Sequence, residues 1–410
     1  MKIRLAVPAA LVGLLLQSLP HAFGQGALTP PGAPTPTMKS LAQVEARIIV
    51  NATNTPGDAA NTFIISVPGS YYLTGNATGV LGKHGISIQA SDVTLDLNGF
   101  ALISGGTGAA PVRGVDVPAA QTGFSLRNGT VRGWSDGGVR TDLATSTFVE
   151  KLRLTDNTGA TGLALGSGSG RDCVATGNAN GFVLGNGAQL RDCAATANGI
   201  GFSSGDRAMA SNCIATGNSG DGFNCTSYVM LIDCSSNRNG GSGIVVQGGS
   251  SIVRCSATRN LPSGNGIQTG GGCHLADCTV ANNGNDGITI FSGTTVRNCT
   301  AQSNGGTGIT AMGGADGCQI IGNTCQANLG AGIHLASFSM RNVVDGNICN
   351  SNAAAGVAAQ GSNNLIIRNT ASGNGSSTQF SIDAGNRRAQ VLTPTSNGFV
   401  STDPWANFTP

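Results

Sequence analysis

The sequence predicts an all-β solenoid, in which the chain coils repeatedly and each coil stacks on the one before it. Two columns of residues return every 20 to 24 positions, and a residue that returns once per coil lies about 4.8 Å above its predecessor. A Cys column opens each repeat, and an Asn column follows it five residues later. The Cys column is Cys173, Cys193, Cys213, Cys234, Cys255, Cys278 and Cys299, and the Asn column is Asn178, Asn198, Asn218, Asn239, Asn260, Asn283, Asn304, Asn328 and Asn352.

Composition agrees with a narrow, turn-rich coil. Glycine accounts for 64 of 410 residues, charged residues for 10% and aromatic residues for 4%, whereas an average globular protein is about 25% charged. A net charge of +2 without a basic stripe provides little electrostatic attraction to the phosphates of a nucleic acid. We therefore expect no nucleic-acid partner.

The Asn column predicts a bend that every coil makes in the same way. Asn tolerates left-handed backbone angles, and stacked side-chain amides bond to one another. A glycine and an apolar residue, as in Gly243-Ile244, then begin the next strand. Following the Cys column upstream places Leu152 and Asn128 in it, and downstream it continues as Asn369. The repeat predicts about 12–14 coils over residues 63–383.

The two ends of the chain differ from the repeats. Lys2 and Arg4 precede an apolar run, and Ala22-Phe23-Gly24 suits cleavage, which predicts a signal peptide over 1–24 and export to the periplasm, cell surface or medium. We expect no membrane insertion after its removal.

A Pro-rich linker over 25–39 then leads to a capping helix and entry segment over 40–62, with the helix running from Ser40 to about Arg47. Residues 384–410 are expected to cap the other end.

Four phrases resemble a known group of proteins. They are PGSYYLTG over 68–75, VTLDLNGF over 93–100, RNGTVRGW over 127–134 and PWANF over 404–408. With the Asn column, they resemble the right-handed parallel β-helix proteins of the pectate-lyase-like superfamily, over about 64–383, and within it an uncharacterised exported bacterial branch. The resemblance implies a right-handed, single-stranded parallel β-helix.

Characterised members of that superfamily are mostly polysaccharide lyases, hydrolases and uronan epimerases, whose catalytic phrases do not recur here. The chain has no Asp-Asp pair, Lys83-His84-Gly85 stands in place of Gly-His-Gly, and Asp403-Pro404 leads into Trp405 rather than His. His84 is expected in the entry loop at the surface. Catalysis is therefore not implied by the resemblance alone.

The outward residue before each Cys forms a candidate functional row of Asp172, Asp192, Asp233, Arg254 and Asp277. Asp172 and Asp192 would lie on neighbouring coils, close enough to raise one pKa or to share a cation. A row of acids and guanidinium groups along a sheet face suits a linear uronan, with Ca²⁺ required only in this interpretation. The competing interpretation is a charge-balanced, solvated face.

The arrangement of the cysteines favours a role in core packing over metal binding or disulfide formation. A stack of Cys gives a line of ligands, whereas Zn²⁺ needs four converging ones, so we expect no metal or cofactor. Buried reduced thiols are the favoured interpretation, with Cys273–Cys278 or Cys318–Cys325 as disulfide alternatives in an exported chain.

Two function classes follow from the sequence. The first is an exported scaffold that binds glycan or a cell-surface protein. The second is a polysaccharide lyase or other uronan-active enzyme that uses the candidate row.

Overall fold

A computed structural model describes residues 45–106, 108, 111–395, 398 and 401–410. Residues Arg47–Pro410 form one compact unit. Its strands lie on three sides of each coil, and we name the sides S1, S2 and S3 in the order in which the chain visits them. Every strand pairs in parallel with the strand one coil away, as Phe182 does with Phe202 and Ala195 with Ala215. The architecture is thus a parallel β-solenoid.

S1 is a sheet of 15 strands, so the solenoid has about 15 coils and exceeds the 12–14 predicted. Its strands are Asn61–Ile65, His84–Ile88, Arg113–Asp116, Gly137–Thr141, Thr161–Leu165, Asn180–Leu184, Ile200–Ser204, Phe223–Cys225, Ile244–Val246, Ile267–Thr269, Ile288–Ile290, Ile309–Ala311, Ile333–Leu335, Val357–Ala359 and Phe380–Ile382.

S2 and S3 share two long strands, Ser125–Arg132 and Thr147–Thr155, which pass through the bend between them. S2 further contains Ile48–Ile49, Gly69–Tyr72, Val93–Asp96, Gly168–Arg171, Gln189–Arg191, Met209–Ser211, Met230–Ile232, Ser251–Val253, His274–Ala276, Thr295–Arg297, Gln319–Ile321, Val343–Asp345, Leu365–Ile367 and Arg387–Arg388. S3 further contains Ala77–Thr78, Ala101–Ile103, Val174–Thr176, Ala194–Thr196, Ile214–Thr216, Ser235–Asn237, Ser256–Thr258, Thr279–Ala281, Thr300–Gln302, Thr324–Gln326, Ile348–Asn350, Thr370–Ser372, Val391–Leu392 and Asn407–Phe408.

The predicted capping helix is not seen in the described part of the chain. Residues 40–44 lie outside the described residues, and the predicted helix end at Arg47 is a bend followed directly by the strand Ile48–Ile49. Ile48 and Ile49 pair with Tyr71 and Tyr72 of S2, which accounts for their strand conformation. The described residues also contain no helix long and apolar enough to cross a membrane.

The Asn column forms a continuous ladder at the bend between S3 and S1. Each side-chain amide donates to the side-chain oxygen one coil further on, at 2.8–3.1 Å from Asn157 through to Asn374. Each backbone N–H donates to the same oxygen, as in Asn239 to Asn260 at 3.1 Å. At the first end the N–H of Trp134 donates to Asn157, and at the last end Gln379 accepts from Asn374. The predicted ladder therefore provides acceptors for a row of buried backbone N–H groups that would otherwise have none.

The glycine that follows the ladder bend is required by close packing. A Cβ on Gly243 would lie 2.6 Å from the amide nitrogen of Asn260 and 2.6 Å from the carbonyl oxygen of Gly266 in the next coil. Contacts that short do not occur at a real Cβ, so any side chain there would push neighbouring coils apart. The Asn ladder therefore requires the glycine column, because only glycine leaves room for the stacked amides.

The Cys column lies inside the bend between S2 and S3. All twelve cysteines are buried and unpaired, so neither Cys273–Cys278 nor Cys318–Cys325 is bonded. The column continues as a second Asn ladder, in which the N–H of Cys299 donates to Asn323 at 2.8 Å. The thiols thus occupy the position that later coils fill with amides.

The upstream extension of that column is wrong by one residue. Leu152 is buried as predicted, but it pairs with Gly129, so Asn128 occupies the left-handed bend position beside Lys151, where it is half-buried. A Cβ on Gly129 would lie 2.4 Å from that of Leu97, so the crowded interior admits only glycine there. A slip of one residue changes which side chain faces the core.

Large side chains fill the coil interior where the backbone leaves room. Phe182, Phe202 and Phe223 stack with ring centroids 5.0 and 4.7 Å apart. Trp134 is fully buried, and a Cβ on Gly79 would lie 2.7 Å from its ring. The Trp134 indole therefore fits in the first coils only because residue 79 has no side chain.

The described residues of the tail, 384–395, 398 and 401–410, add strands to the end of the solenoid. Asn407–Phe408 lies in S3 between Thr370–Ser372 and Val391–Leu392. The side-chain oxygen of Asn407 accepts from the backbone and side chain of Asn369 at 2.9 and 3.1 Å. The tail thus extends the second Asn ladder by one step.

Replacement of one ladder residue should be far more destabilising than the same replacement two positions earlier. Asn239→Leu removes the acceptor of Asn218 and should lower the free energy of unfolding by at least about 2 kcal/mol, because buried donors lose their partner. Asn237→Leu on the outer face of S3 should change it little. Denaturant unfolding of both variants measures the difference, and equal losses would contradict the ladder.

The thiols should be inert in the folded chain. All twelve are buried and so out of reach of a reagent, and burial also raises the pKa of Cys225 to about 11 and raises the pKa of Cys273 and Cys318, whereas an exposed thiol ionises near about 8.5. A thiol reagent at neutral pH should label none of the twelve cysteines before unfolding and all twelve after it. Partial labelling of the native chain would contradict this prediction.

A charged side chain in the Cys column should destabilise the fold. Cys234→Asp would bury an unpaired carboxylate and should lower the free energy of unfolding by about 3 kcal/mol or more, whereas Cys234→Ala should be tolerated better. Thermal melting compares the two variants. Equal melting temperatures for Cys234→Asp and the parent chain would show that Cys234 is not buried.

Candidate functional site

The candidate row lies at the bend between S2 and S3, and not on a sheet face as the sequence suggested. Its side chains are exposed, as predicted. Their backbones are left-handed, with φ between 52° and 57°, for Asp172, Asp192, Asp233, Arg254 and Asp277. Asp and Asn adopt this conformation more readily than other residues with a Cβ. The residue types in the row therefore have a conformational reason that is independent of any ligand.

The carboxylates of the row already have partners. Asp192 accepts from the Asn212 side chain at 2.6 Å, and Asp233 accepts two bonds from Arg254 at 2.7 and 2.9 Å. Arg254 holds the pKa of Asp233 below its usual value. Each of these partners comes from the next coil, so the row is a set of pairs between neighbouring coils.

The two remaining acids are bound more loosely. Asp277 accepts from Asn298 at 3.4 Å, and Asp172 lies 4.0 Å from the guanidinium nitrogen of Arg171. Among the described residues, no group of three or more His, Cys, Asp or Glu side chains is arranged to hold a metal ion. The row can offer single carboxylates to a ligand, but it does not assemble a cation site by itself.

A recess of about 330 Å³ lies on the outer face of S2, directly beside the row. The Arg171 guanidinium lies 5.3 Å from the centre of the Phe148 ring and donates to Glu150 at 3.0 and 2.7 Å. Arg191 pairs in register with Arg171 on the neighbouring strand and lies 3.2 Å from Asp192. The recess is lined by Phe148, Ser169, Gly170, Arg171, Gln189, Leu190, Arg191, Met209 and Ser211.

A second charged group lies on the outer face of S1, near the longest loop of the first coils. Arg113 contacts Asp116 at 3.3 Å and Asp136 at 2.6 Å, and Arg140 contacts Asp142 at 2.6 Å. The Asp116 carboxylate is almost completely shielded, with 6% of its side chain exposed. A recess of about 190 Å³ beside Arg113, Asp136 and Arg140 is otherwise lined by small side chains. The group carries a net charge of −1, because its three carboxylates outnumber two guanidinium groups.

Sequence reasoning missed this S1 group. It placed His84 in an entry loop, whereas His84 begins an S1 strand and its Nδ1 accepts from the backbone N–H of Arg113 at 3.0 Å. The available signal was the extended segment from Ser104 to Val112, which precedes Arg113 directly. Asp116 lies in register between Ser87 and Arg140 of the neighbouring S1 strands and forms an ion pair with Arg113 of its own strand.

Breaking the shielded pair should be costly, while breaking an exposed pair should not. Arg113→Leu removes the ion-pair partner of the buried Asp116 carboxylate and should lower the free energy of unfolding by about 3 kcal/mol. Arg254→Leu removes an exposed partner of Asp233 and should have little effect. Denaturant unfolding of the two variants tests this contrast, and a mild Arg113→Leu would show that Asp116 is solvated.

Comparison with known proteins identifies the family but not the activity. The sequence profile described as "Right handed beta helix region" matches residues 137–275, 180–325 and 265–397, which together span 137–397 and hence more than half of the chain. No curated protein sequence matches the chain.

Similar solved structures share low sequence identity with the chain. They include the A-module of the Azotobacter vinelandii mannuronan C-5 epimerase AlgE4, at 15% identity and TM-score 0.42 over 78% of this chain and 91% of that one. The periplasmic alginate epimerase AlgG matches at 13% identity and TM-score 0.40 over 84% of this chain and 81% of that one. The pectate lyase Pel9A matches at 12% identity and TM-score 0.39 over 60% and 70%. By its sequence profile, the chain belongs to the right-handed β-helix family.

Proposed function

We propose that the chain is an exported β-helix scaffold that binds an acidic polysaccharide along the outer face of S2. The observation that carries the proposal is the S2 recess, where Phe148, Arg171 and Arg191 lie beside one another. Planar guanidinium groups bind carboxylates through paired hydrogen bonds. An aromatic ring in the same recess offers an apolar surface to a sugar.

The repeat of the solenoid suits a polymer. Arg171 and Arg191 occupy equivalent positions on neighbouring S2 strands, so their backbones are separated by one coil, about 4.8 Å. A linear uronan carries a carboxylate on each sugar, and it can meet such a series without bending around the surface. The exposed candidate row lies alongside and offers hydrogen-bond acceptors to sugar hydroxyls.

We favour binding over cleavage because two carboxylates of the candidate row already accept hydrogen bonds from other side chains. A base that removes a proton from a sugar carbon needs a carboxylate or amine free to accept it. Asp192 and Asp233 are instead engaged by Asn212 and by Arg254. The alternative function, a polysaccharide lyase that uses the row with Ca²⁺, would depend chiefly on Asp172 and Asp277.

Export rests on the sequence pattern at the amino terminus. Lys2 and Arg4, the apolar run that follows and Ala22-Phe23-Gly24 have the order of a secretory signal. A polysaccharide at the cell surface or in the periplasm would then be accessible to the mature chain. Detection of the mature chain outside the cytoplasm, cleaved near Gly24, tests this part of the proposal.

Calorimetric titration with oligouronates, with and without Ca²⁺, tests the proposed binding. Arg191→Gln should weaken it about tenfold, because one charge-assisted contact is lost, without a change in melting. Arg238→Gln, an exposed arginine at the bend between S3 and S1, is the matched control and should bind as the parent does. Absence of heat with every acidic oligosaccharide would overturn the proposal.

The same titrations separate binding from catalysis. If the row is a lyase site, the double variant Asp172→Asn and Asp277→Asn should lose Ca²⁺-dependent turnover, detected as absorbance of the unsaturated product. We expect no turnover by the parent chain and only a small change in affinity in the double variant. Turnover by the parent would favour the enzyme.

A further inference from the structure

A second recess lies on the same outer face of S2, at the far end of the solenoid. Its volume is about 450 Å³, and it opens between the last S2 strands and the returning tail. Nine strand-to-strand steps along S2 separate Gly168–Arg171 from Leu365–Ile367, which corresponds to about 43 Å. The recess is lined by Leu365, Ile367, Arg387, Arg388, Ala389, Asp403 and Trp405.

The Trp405 ring is held in a fixed place at the edge of this recess. The Arg368 guanidinium lies 5.1 Å from the ring centre, and Asp345 binds that guanidinium through two hydrogen bonds, one of them at 2.7 Å. The Trp405 backbone is fixed as well, since its N–H donates to Asp403 at 2.9 Å and its carbonyl accepts from Arg368 at 3.0 Å. Yet 51% of the Trp405 surface remains exposed. An immobilised, half-exposed indole is a ready stacking surface.

The charges around the recess favour an anionic occupant. Arg387 and Arg388 are both exposed, and neither takes part in an ion pair among the described residues, whereas Arg368 is neutralised by Asp345. Asp403 supplies one negative charge, already engaged by the Trp405 N–H. Arg387 continues the outward column of Leu365, whereas Arg388 pairs with inward Ile366 at the end of the solenoid. The recess therefore has one outward guanidinium group, with a second at its end, beside an aromatic ring and above an aliphatic floor of Leu365 and Ile367.

The two S2 recesses lie along the same columns of S2 and contain similar kinds of side chain. Each is lined by one aromatic ring, two arginines and an aliphatic side chain, but Arg171 and Arg191 share one outward column, whereas Arg387 and Arg388 are consecutive residues of one strand, and Asp403 lines only the second recess. Successive pairings place Leu365 in the outward column of Phe148 and Ile367 in that of Arg171. A straight polymer that occupies the first recess along S2 would reach the second.

We propose that the Trp405 recess is a second subsite for acidic sugars, and that one linear acidic polysaccharide occupies both S2 recesses at once. The proposal rests on the proposed function and deepens it, because it specifies a bivalent contact with a minimum chain length. Two linked contacts raise the overall affinity by about 10²- to 10⁴-fold over either contact alone, provided that the chain spans the distance. An oligomer shorter than about 43 Å could occupy the recesses only separately.

Titration with oligouronates of graded length tests this proposal. Short oligomers should bind with a stoichiometry of two, and chains longer than about 43 Å should bind one to one and at least about a hundredfold more tightly. Trp405→Ala and the double variant Arg387→Gln, Arg388→Gln should remove one short-oligomer site and abolish the gain with length. Trp405→Phe, which keeps a ring, should retain most of the gain, and Arg238→Gln with Arg259→Gln serves as the charge-matched control.

Tryptophan fluorescence gives an independent readout. The chain has two tryptophans, and Trp134 is fully buried, so a change on addition of short oligouronates reports on Trp405. We expect that change in the parent chain and not in Trp405→Phe.

The outcomes separate the second subsite from the function on which it rests. If Arg191→Gln weakens binding while Trp405→Ala leaves affinity, stoichiometry and length dependence unchanged, the second subsite is wrong and the proposed function stands. Absence of binding in all chains overturns both. Concentration-dependent dimerisation that is abolished in Trp405→Ala would instead assign the recess to a second copy of the chain and overturn the subsite.

Discussion

The side-chain amide ladder at the bend between S3 and S1 is the constraint on which the rest of the fold depends. Each coil contributes one oxygen that accepts both the backbone and the side-chain N–H of the preceding coil, as Asn260 does for Asn239. A coil with a different length at this bend would break contacts on both sides. The ladder also fixes the glycine after the bend, because a Cβ on Gly243 would collide with the Asn260 amide. Regular stacking therefore follows from two residues in each coil.

Regular stacking leaves the outer faces free to vary. Along S2, inward positions remain apolar, whereas outward positions change from Phe148 and Arg171 near the first coils to Leu365 and Ile367 near the last. The bend residues are more restricted, since a left-handed backbone favours Asp, Asn or Gly at positions such as Asp172 and Asp277. The S2 face is consequently where chemistry can differ between coils at little cost to the fold, and both aromatic and arginine recesses lie there.

The periodic part of the structure could be predicted because its cause is local and repeated. The burial of Cys234 and the bonding of Asn239 to Asn260 both follow from columns that are visible in the sequence. The error at Asn128 has a physical source, since Asn serves both the buried ladder and the left-handed bend. Residue type alone cannot distinguish these two uses.

The recesses could not be predicted, because they depend on contacts that the repeat does not encode. Trp405 reaches S2 only because the tail returns by about one coil to place Asn407 beside Asn369. The S1 group forms because parallel pairing places Arg140 in register with Asp116, which also forms an ion pair with Arg113 of its own strand. For the candidate row, the sequence indicated exposure correctly, whereas pairing between coils required the positions of the side chains.

Native-state hydrogen exchange, resolved by mass spectrometry, tests the ladder most directly. The backbone N–H groups of Asn178, Asn239 and Asn304 lie at bends, but they donate to buried side-chain oxygens of the next coil. We predict that these bends exchange as slowly as the S1 strands beside them. Exchange there as fast as in the exposed segment over 261–263 would contradict the ladder as the support of the fold.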